Sequence, residues 1–407
     1  MSVMTMWTNM SIMKCLIIIF SLFATMSAWR DEVTYERTPL GDSVDVASMK
    51  ILKESYQVAV DKNVIASPLG VLTLLAMYSA GAEGENREEI LSLVGTPEYK
   101  QLEDNYGNLT ERFTAMDDSY LVLANKIYVS NKYTLKETFS DVASRSYKSV
   151  VETVNFAEKK KTAAQINEWA AEKTKGHISS PISEDTIDAG AALAMFNVIF
   201  FQGHWHVPFD AKETEEKDFF VDETTTVKKP MMKLRRALFY HEDYDLGARM
   251  VELPYKETGF RMVIVLPDEK NGLPAVVEKL AQRGILEDVF NLSPSRQKIE
   301  FEMPKFDIKS KHNLNAILPK VGVSHMFTRG AGGVVRETAV RVASAFQQAF
   351  VKVDEEGATA GAFTGLIKVP LSTRYKPPPP IEFKVDHPFM FAILHEDIVL
   401  FTGTYTH

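Results

Sequence analysis

A mixed α+β fold is what this sequence predicts, and three observations carry it. Apolar residues recur at helical spacing from Val46 to Val58, and Val71 to Tyr78 is apolar nearly all round, as a buried helix should be. Leu193 to Phe201 is a continuous apolar run that suits a strand covered on both faces. Met250 to Tyr255 and Arg261 to Pro267 read as two strands joined by a turn containing Gly259, and Phe383 to Thr404 reads as two more. The chain has 407 residues, 45% of them hydrophobic and 25% charged, which is globular composition with length for a large core. Length alone would allow two or three domains; one large mixed domain also accommodates it.

The first residues predict a compartment. Met13-Lys14-Cys15 leads into Leu16 to Phe23, and small residues follow up to Ala28. A basic residue, a short apolar core and a small-residue exit make a secretory signal peptide over residues 1–28, too short to span a membrane comfortably. Cys15 is the sole cysteine and would leave with that leader. A mature chain over 29–407 would then hold itself by core burial, without disulfide or thiol chemistry. Losing Lys14 makes the net charge of −8 more negative still, which argues against general nucleic-acid binding. Asn108-Leu109-Thr110 and Asn291-Leu292-Ser293 are glycosylation acceptors, the second weakened by Pro294.

Along the chain, Ser67 can cap a helix that Pro68 opens and Gly81 closes. Leu121 to Val129 reads as a strand, and Ile166 to Thr174 as a helix ending near Gly176. Asn197, inside the apolar run, is a buried amide that needs partners. Ile299 to Phe306 alternates, with Lys305 as the odd charge. Val351 and Val353 alternate against Lys352 and Asp354 as a strand, after which Glu355, Glu356 and Gly357 lead into Ala358, Thr359, Ala360, Gly361 and Ala362. Such a run of small side chains suits a segment that must slide between packed elements. A flexible linker is the plainer reading; Phe363, Leu366, Ile367 and Val369 are too apolar for it. Pro377 to Pro380 should form a stiff extended rod.

The octet Glu355 to Ala362 resembles the hinge of the reactive-centre loop in the serpin family. The likeness recurs over essentially the whole chain after the first thirty or so residues. It is carried by Asn63 to Gly84, the helix at Ile166, Asn197, Trp205, the strands around Gly259, Lys305, and His387-Pro388-Phe389. The resemblance implies three β-sheets, about nine helices and an exposed loop over about 355–380. It implies a hydrogen-bond network of Ser67, Asn197 and Gln347 beneath the central sheet, an ion pair between Lys305 and Glu355, and Trp205 where the sheet first opens. It also marks departures. Gly70 stands where the family has a second serine, Gln347 where it has a histidine, and Ala358 where inhibitory members carry Thr or Ser. An Asp-Leu-Ser segment is missing between Phe327 and Val340.

Enzyme chemistry is not in evidence: there is no G-x-S-x-G elbow, H-E-x-x-H, P-loop or C-x-x-C. His204 and His206 flank Trp205 and could share a face, but no third ligand is near, so no metal is expected. Lys159-Lys160-Lys161 could bind a sulfated polysaccharide or simply start a solvated helix, and Arg235-Arg236 sits inside a strand rather than a processing site. The resemblance implies a secreted, monomeric inhibitor, without cofactor, consumed on trapping an extracellular protease. The bait bond is Leu371-Ser372 by the family's count, which suits a chymotrypsin-like or elastase-like serine protease or a cysteine protease. The loop is long, so Arg374-Tyr375, suited to a trypsin-like enzyme, stays open, with Lys368 a third choice. The alternative is a non-inhibitory serpin for transport, storage or chaperoning.

Overall fold

The computed structural model describes residues 35–117, 119–357 and 378–407. The expected leader, Ala358 to Ala362 and both candidate bonds, Leu371-Ser372 and Arg374-Tyr375, lie outside them. Residues 38–407 form one compact unit of three sheets. Ten α-helices surround the sheets among the described residues.

The central sheet has five strands, ordered Phe306–Asn313, Val342–Val353, Leu193–Phe201, Leu121–Ser130 and Val151–Val154. Its middle pair, Val342–Val353 with Leu193–Phe201, is parallel, while the strand on each outer side of that pair is antiparallel to its neighbour. A seven-stranded sheet follows the order Val64–Ala66, Ile398–Tyr405, Phe389–His395, Phe260–Pro267, Ala248–Pro254, Phe239–Asp243 and Ser293–Pro294. A four-stranded sheet joins Ile381–Lys384, Ile299–Pro304, Thr226–Arg236 and Glu215–Phe220.

The helix Pro68–Ser79 is buried at every residue, packed between the central and seven-stranded sheets. An all-apolar helix can be stable only in such a place. Ser67 caps it, its hydroxyl accepting from Gly70 N at 3.2 Å. On the other face of the central sheet, the helix Lys159–Lys173 buries Ile166, Trp169 and Ala170 against Tyr128, Phe196 and Val198. Two helices begin earlier than apolar spacing indicates. The first runs Pro39–Val58, because Thr38 caps it and accepts from Gly41 N at 3.0 Å. The second starts at Lys159 instead of Ile166, its first turn being solvated lysines.

One expected element divides. Ile299 to Phe306 is not a single strand: Ile299–Pro304 belongs to the four-stranded sheet and Phe306–Asn313 to the central one. Lys305 is the corner, with its N–H donating to Pro230 O at 3.0 Å.

Within the seven-stranded sheet, Glu252 and Arg261 form an ion pair at 3.4 Å with side chains 1% exposed. Removing one member of such a pair strands the other charge away from water. Glu252→Ala should therefore lower stability by about 3 kcal/mol. Replacing both residues by Met should restore most of it, read from urea midpoints at constant m-value. Equal losses in single and double variants would show that the pair is held for its packing volume.

Candidate functional site: the seam of the central sheet and its upper end

The parallel register sets Asn197 beside Gln347 across the middle of the sheet. Side chains alternate along a strand, so both amides point together to the face that covers the helix Pro68–Ser79. Gln347 Nε2 donates to Asn197 Oδ1 and to Ser67 O, both at 2.7 Å, while Ser67 N donates to Gln347 Oε1 at 2.9 Å. Asn197 Nδ2 donates to Asn125 Oδ1 at 2.8 Å, and Ser67 Oγ to Leu400 O at 2.8 Å. The network thus ties both seam strands to the buried helix start and to the seven-stranded sheet. Gly70 belongs to the same arrangement. A Cβ there would lie 2.5 Å from Asn197 Oδ1, so the amide occupies the space a larger residue would need. Asn125, a polar residue inside the strand Leu121–Ser130, carries the same signal in the sequence as Asn197 and completes the network.

Above the network, Val342–Val353 ends and the chain turns. Glu355 is nearly buried, with Oε2 2.7 Å from Lys305 Nζ and Oε1 accepting from Thr214 Oγ1 at 2.8 Å. Lys305 can reach it because the corner between two sheets falls there and Phe306 pairs with Val353. Trp205 lies flat on Tyr255, centroids 4.5 Å apart; its Nε1 donates to Asp354 O at 2.8 Å and its backbone N to Glu356 O at 3.2 Å. Phe209 N donates to Glu355 O at 2.8 Å. Gly357 has φ +77°, and a Cβ there would stand 2.4 Å from Gly203 O. Only glycine makes this turn without strain. Burial works against the Glu355 charge, but the hydrogen bonds from Lys305 and Thr214 outweigh it and hold the carboxyl below its ordinary 4.5.

Of the remaining candidates, only the two histidines beside Trp205 adjoin this site. Asn108 and Asn291 are exposed on the helices Tyr99–Thr114 and Leu286–Asn291. His204 pairs with Glu257 at 2.5 Å, His206 is exposed, and among the described residues no group of three or more ligating side chains could hold a metal ion. Lys159 to Lys161 form an exposed helix start, and Arg235 and Arg236 end the strand Thr226–Arg236.

Two outcomes follow from this geometry. Gly70→Ser should lower stability by about 1–3 kcal/mol, as overpacking does, and Gln347→His should relieve part of that loss by letting Asn197 move. A double-mutant cycle on urea midpoints checks it; additive losses would show that positions 70 and 347 are independent. Because the folded-state pKa of Glu355 is depressed, its stabilisation is present above the ordinary value and fades as pH falls from about 4.5 through the folded value. Lys305→Met should lower stability at neutral pH, read from the urea midpoint, by no more than about 1 kcal/mol. The gap to wild type should close on acidification; a constant gap down to about pH 3 would assign Lys305 to packing alone.

Sequence and structure comparisons agree with this architecture. The family model described as "Serpin (serine protease inhibitor)" matches residues 43–407. "Antichymotrypsin-2" of Bombyx mori is 30% identical over 346 residues, covering 84% of this chain and 92% of that protein. "Antitrypsin" of Bombyx mori is 29% identical over 396 residues, covering 97% and 100%. The solved structure of Serpin48 from the insect Tenebrio molitor superposes with a TM-score of 0.78 at 28% identity, covering 90% of this chain and 98% of that one. By the match over residues 43–407 and by this architecture, the chain belongs to the serpin family.

Proposed function

We propose that this chain is a secreted, monomeric inhibitor of an extracellular protease, acting without a cofactor and consumed in use. The observation that carries the reading is the parallel seam. A segment that leaves Val342–Val353 at Gly357 and folds back would run antiparallel to both seam strands. One parallel contact would become two antiparallel ones, with hydrogen-bond geometry at least as good. The sequence after Gly357 suits such a strand. Ala358, Ala360, Ala362 and Thr364 would share one face and are all small, Phe363 falls on the other, and no proline interrupts Glu355 to Val369. Residues 355–368 would extend roughly 46 Å at the usual rise, enough to cross the sheet.

In that cycle the protease nucleophile attacks the carbonyl carbon of the bait residue, an acyl ester forms, and the amine of the next residue leaves. Insertion then carries the ester-linked protease along with the upstream segment before water can hydrolyse it. Leu371-Ser372 is the bond we favour, for a serine protease with an apolar specificity pocket; Arg374-Tyr375 would select a trypsin-like one. The names of the Bombyx mori relatives, an antichymotrypsin and an antitrypsin, support a serine protease as the target class. The signal-peptide pattern over residues 1–28 supports a mature single domain, 29–407, acting outside the cell. The hinge Glu355 to Ala362 would act with Trp205 and Lys305 as the point of first opening, and Ser67, Asn197 and Gln347 as the clasp beneath.

Incubation of the purified mature chain with trypsin, chymotrypsin, elastase and a cathepsin tests this on a denaturing gel with mass spectrometry. The expected result is a band at the summed mass and a released peptide beginning at Ser372 or Tyr375, with loop-cut protein unfolding at a higher temperature than the intact chain. Clean loop cleavage with no covalent band and no gain in heat stability would sink the inhibitor reading in favour of a non-inhibitory serpin.

A further inference from the structure

On the face opposite the amide network, the seam is lined with rings. Phe196 and Phe200 project from Leu193–Phe201, and Phe346 and Phe350 from Val342–Val353. The parallel register sets Phe346 beside Phe196 and Phe350 beside Phe200. Both pairs are stacked, with centroids 6.0 Å apart at 25° and 5.9 Å apart at 6°. His177, just beyond the helix Lys159–Lys173, adds a further ring, 4.0 Å from Phe200 and 6.0 Å from Phe350. The neighbouring strand supplies cations: Lys309 Nζ is 5.5 Å from the Phe350 centroid and donates to His177 O at 3.1 Å, and Lys311 Nζ is 5.1 Å from the Phe346 centroid.

We propose that the pairs Phe196–Phe346 and Phe200–Phe350 set how fast the central sheet admits an additional strand, and hence the share of protease encounters that end in a trapped complex. This rests on the inserting-inhibitor reading above. A strand entering the seam moves its flanks from one strand spacing to two, from about 4.8 to about 9.6 Å. The backbone hydrogen bonds given up across the seam are taken over by the newcomer. The stacking within each pair is lost first, because both pairs part completely before any entering side chain, Phe363 included, can stack in their place. The rings are therefore a net loss on the way to opening, which makes them positioning residues for the rate of that step. Since an acyl-enzyme is lost to hydrolysis while it waits, a slower seam shifts the outcome from trapping toward release of cut inhibitor.

Phe346→Leu combined with Phe350→Leu keeps apolar bulk and removes the stacking. The probe is a synthetic peptide of residues 355–368, added to the intact mature chain, with uptake followed by native gel and mass spectrometry and no protease present. Phe113→Leu, a ring buried in the main core, controls for general destabilisation. Uptake should accelerate about two- to tenfold for each pair removed, the variant should need fewer inhibitor molecules per protease trapped, and Phe113→Leu should leave the uptake rate unchanged. If the double variant does not fold, Phe346→Leu alone carries the same comparison. Equal rates in wild type and variant, or equal acceleration by Phe113→Leu, would overturn the assignment while leaving insertion intact. Absence of uptake by every protein, with no covalent band on the gel, would remove the inserting-inhibitor reading and this one together.

Discussion

The parallel contact between Leu193–Phe201 and Val342–Val353 is the constraint on which the rest of the structure depends. The chain leaves the first strand at residue 201 and returns to the second at 342. Between them it builds most of the four-stranded sheet and four strands of the seven-stranded one. The seam is thus the least local contact in the central sheet, and it is closed by three different kinds of interaction. Amides clasp it on the face toward the buried helix, rings stack across it on the other, and Trp205 with Glu355 and Lys305 holds its upper end. Each kind fails under different conditions. Burial protects the amides, ring stacking depends on strand spacing, and the upper ion pair weakens as its carboxylate protonates.

Gly70 and Gln347 make sense only together. The glutamine amide reaches both Ser67 and Asn197, and Asn197 then fills the space above residue 70. A donor at position 70 is not needed, because the glutamine supplies two N–H groups from the strand itself. Taken singly, each departure from the family pattern looks like a lost hydrogen bond. Taken as a pair they describe a closed network of a different composition.

How much of this could be read from residues varied with the kind of information each contact needs. Leu193–Phe201 was legible to the residue, because an uninterrupted apolar run leaves no competing periodicity. The start of Pro39–Val58 was not, because its first turns carry Gly41, Asp42 and Ser43 and its signal lies in the Thr38 cap. Lys305 read as an odd charge in one strand, since a chain passing from sheet to sheet keeps alternating and nothing local marks the corner. Its partnership with Glu355 came from family likeness. The ring pairs were invisible as pairs: Phe346 and Phe350 meet Phe196 and Phe200 only through a parallel register that no single sequence states.

The placement of the last strands bears on how the protein is made. Phe389–His395 and Ile398–Tyr405 lie inside the seven-stranded sheet, between Phe260–Pro267 and the short strand Val64–Ala66 near the other end of the chain. During synthesis, therefore, Val64–Ala66 waits without its sheet partner while more than three hundred residues emerge, and Phe260–Pro267 keeps an open edge from its own emergence until the last strands arrive. Open edges of this kind invite pairing with other chains. Closure comes only when residues 389–405 clear the ribosome, so the sheet completes its pairing only as translation ends, and a chain truncated before residue 389 would lack the two strands that join Phe260–Pro267 to Val64–Ala66.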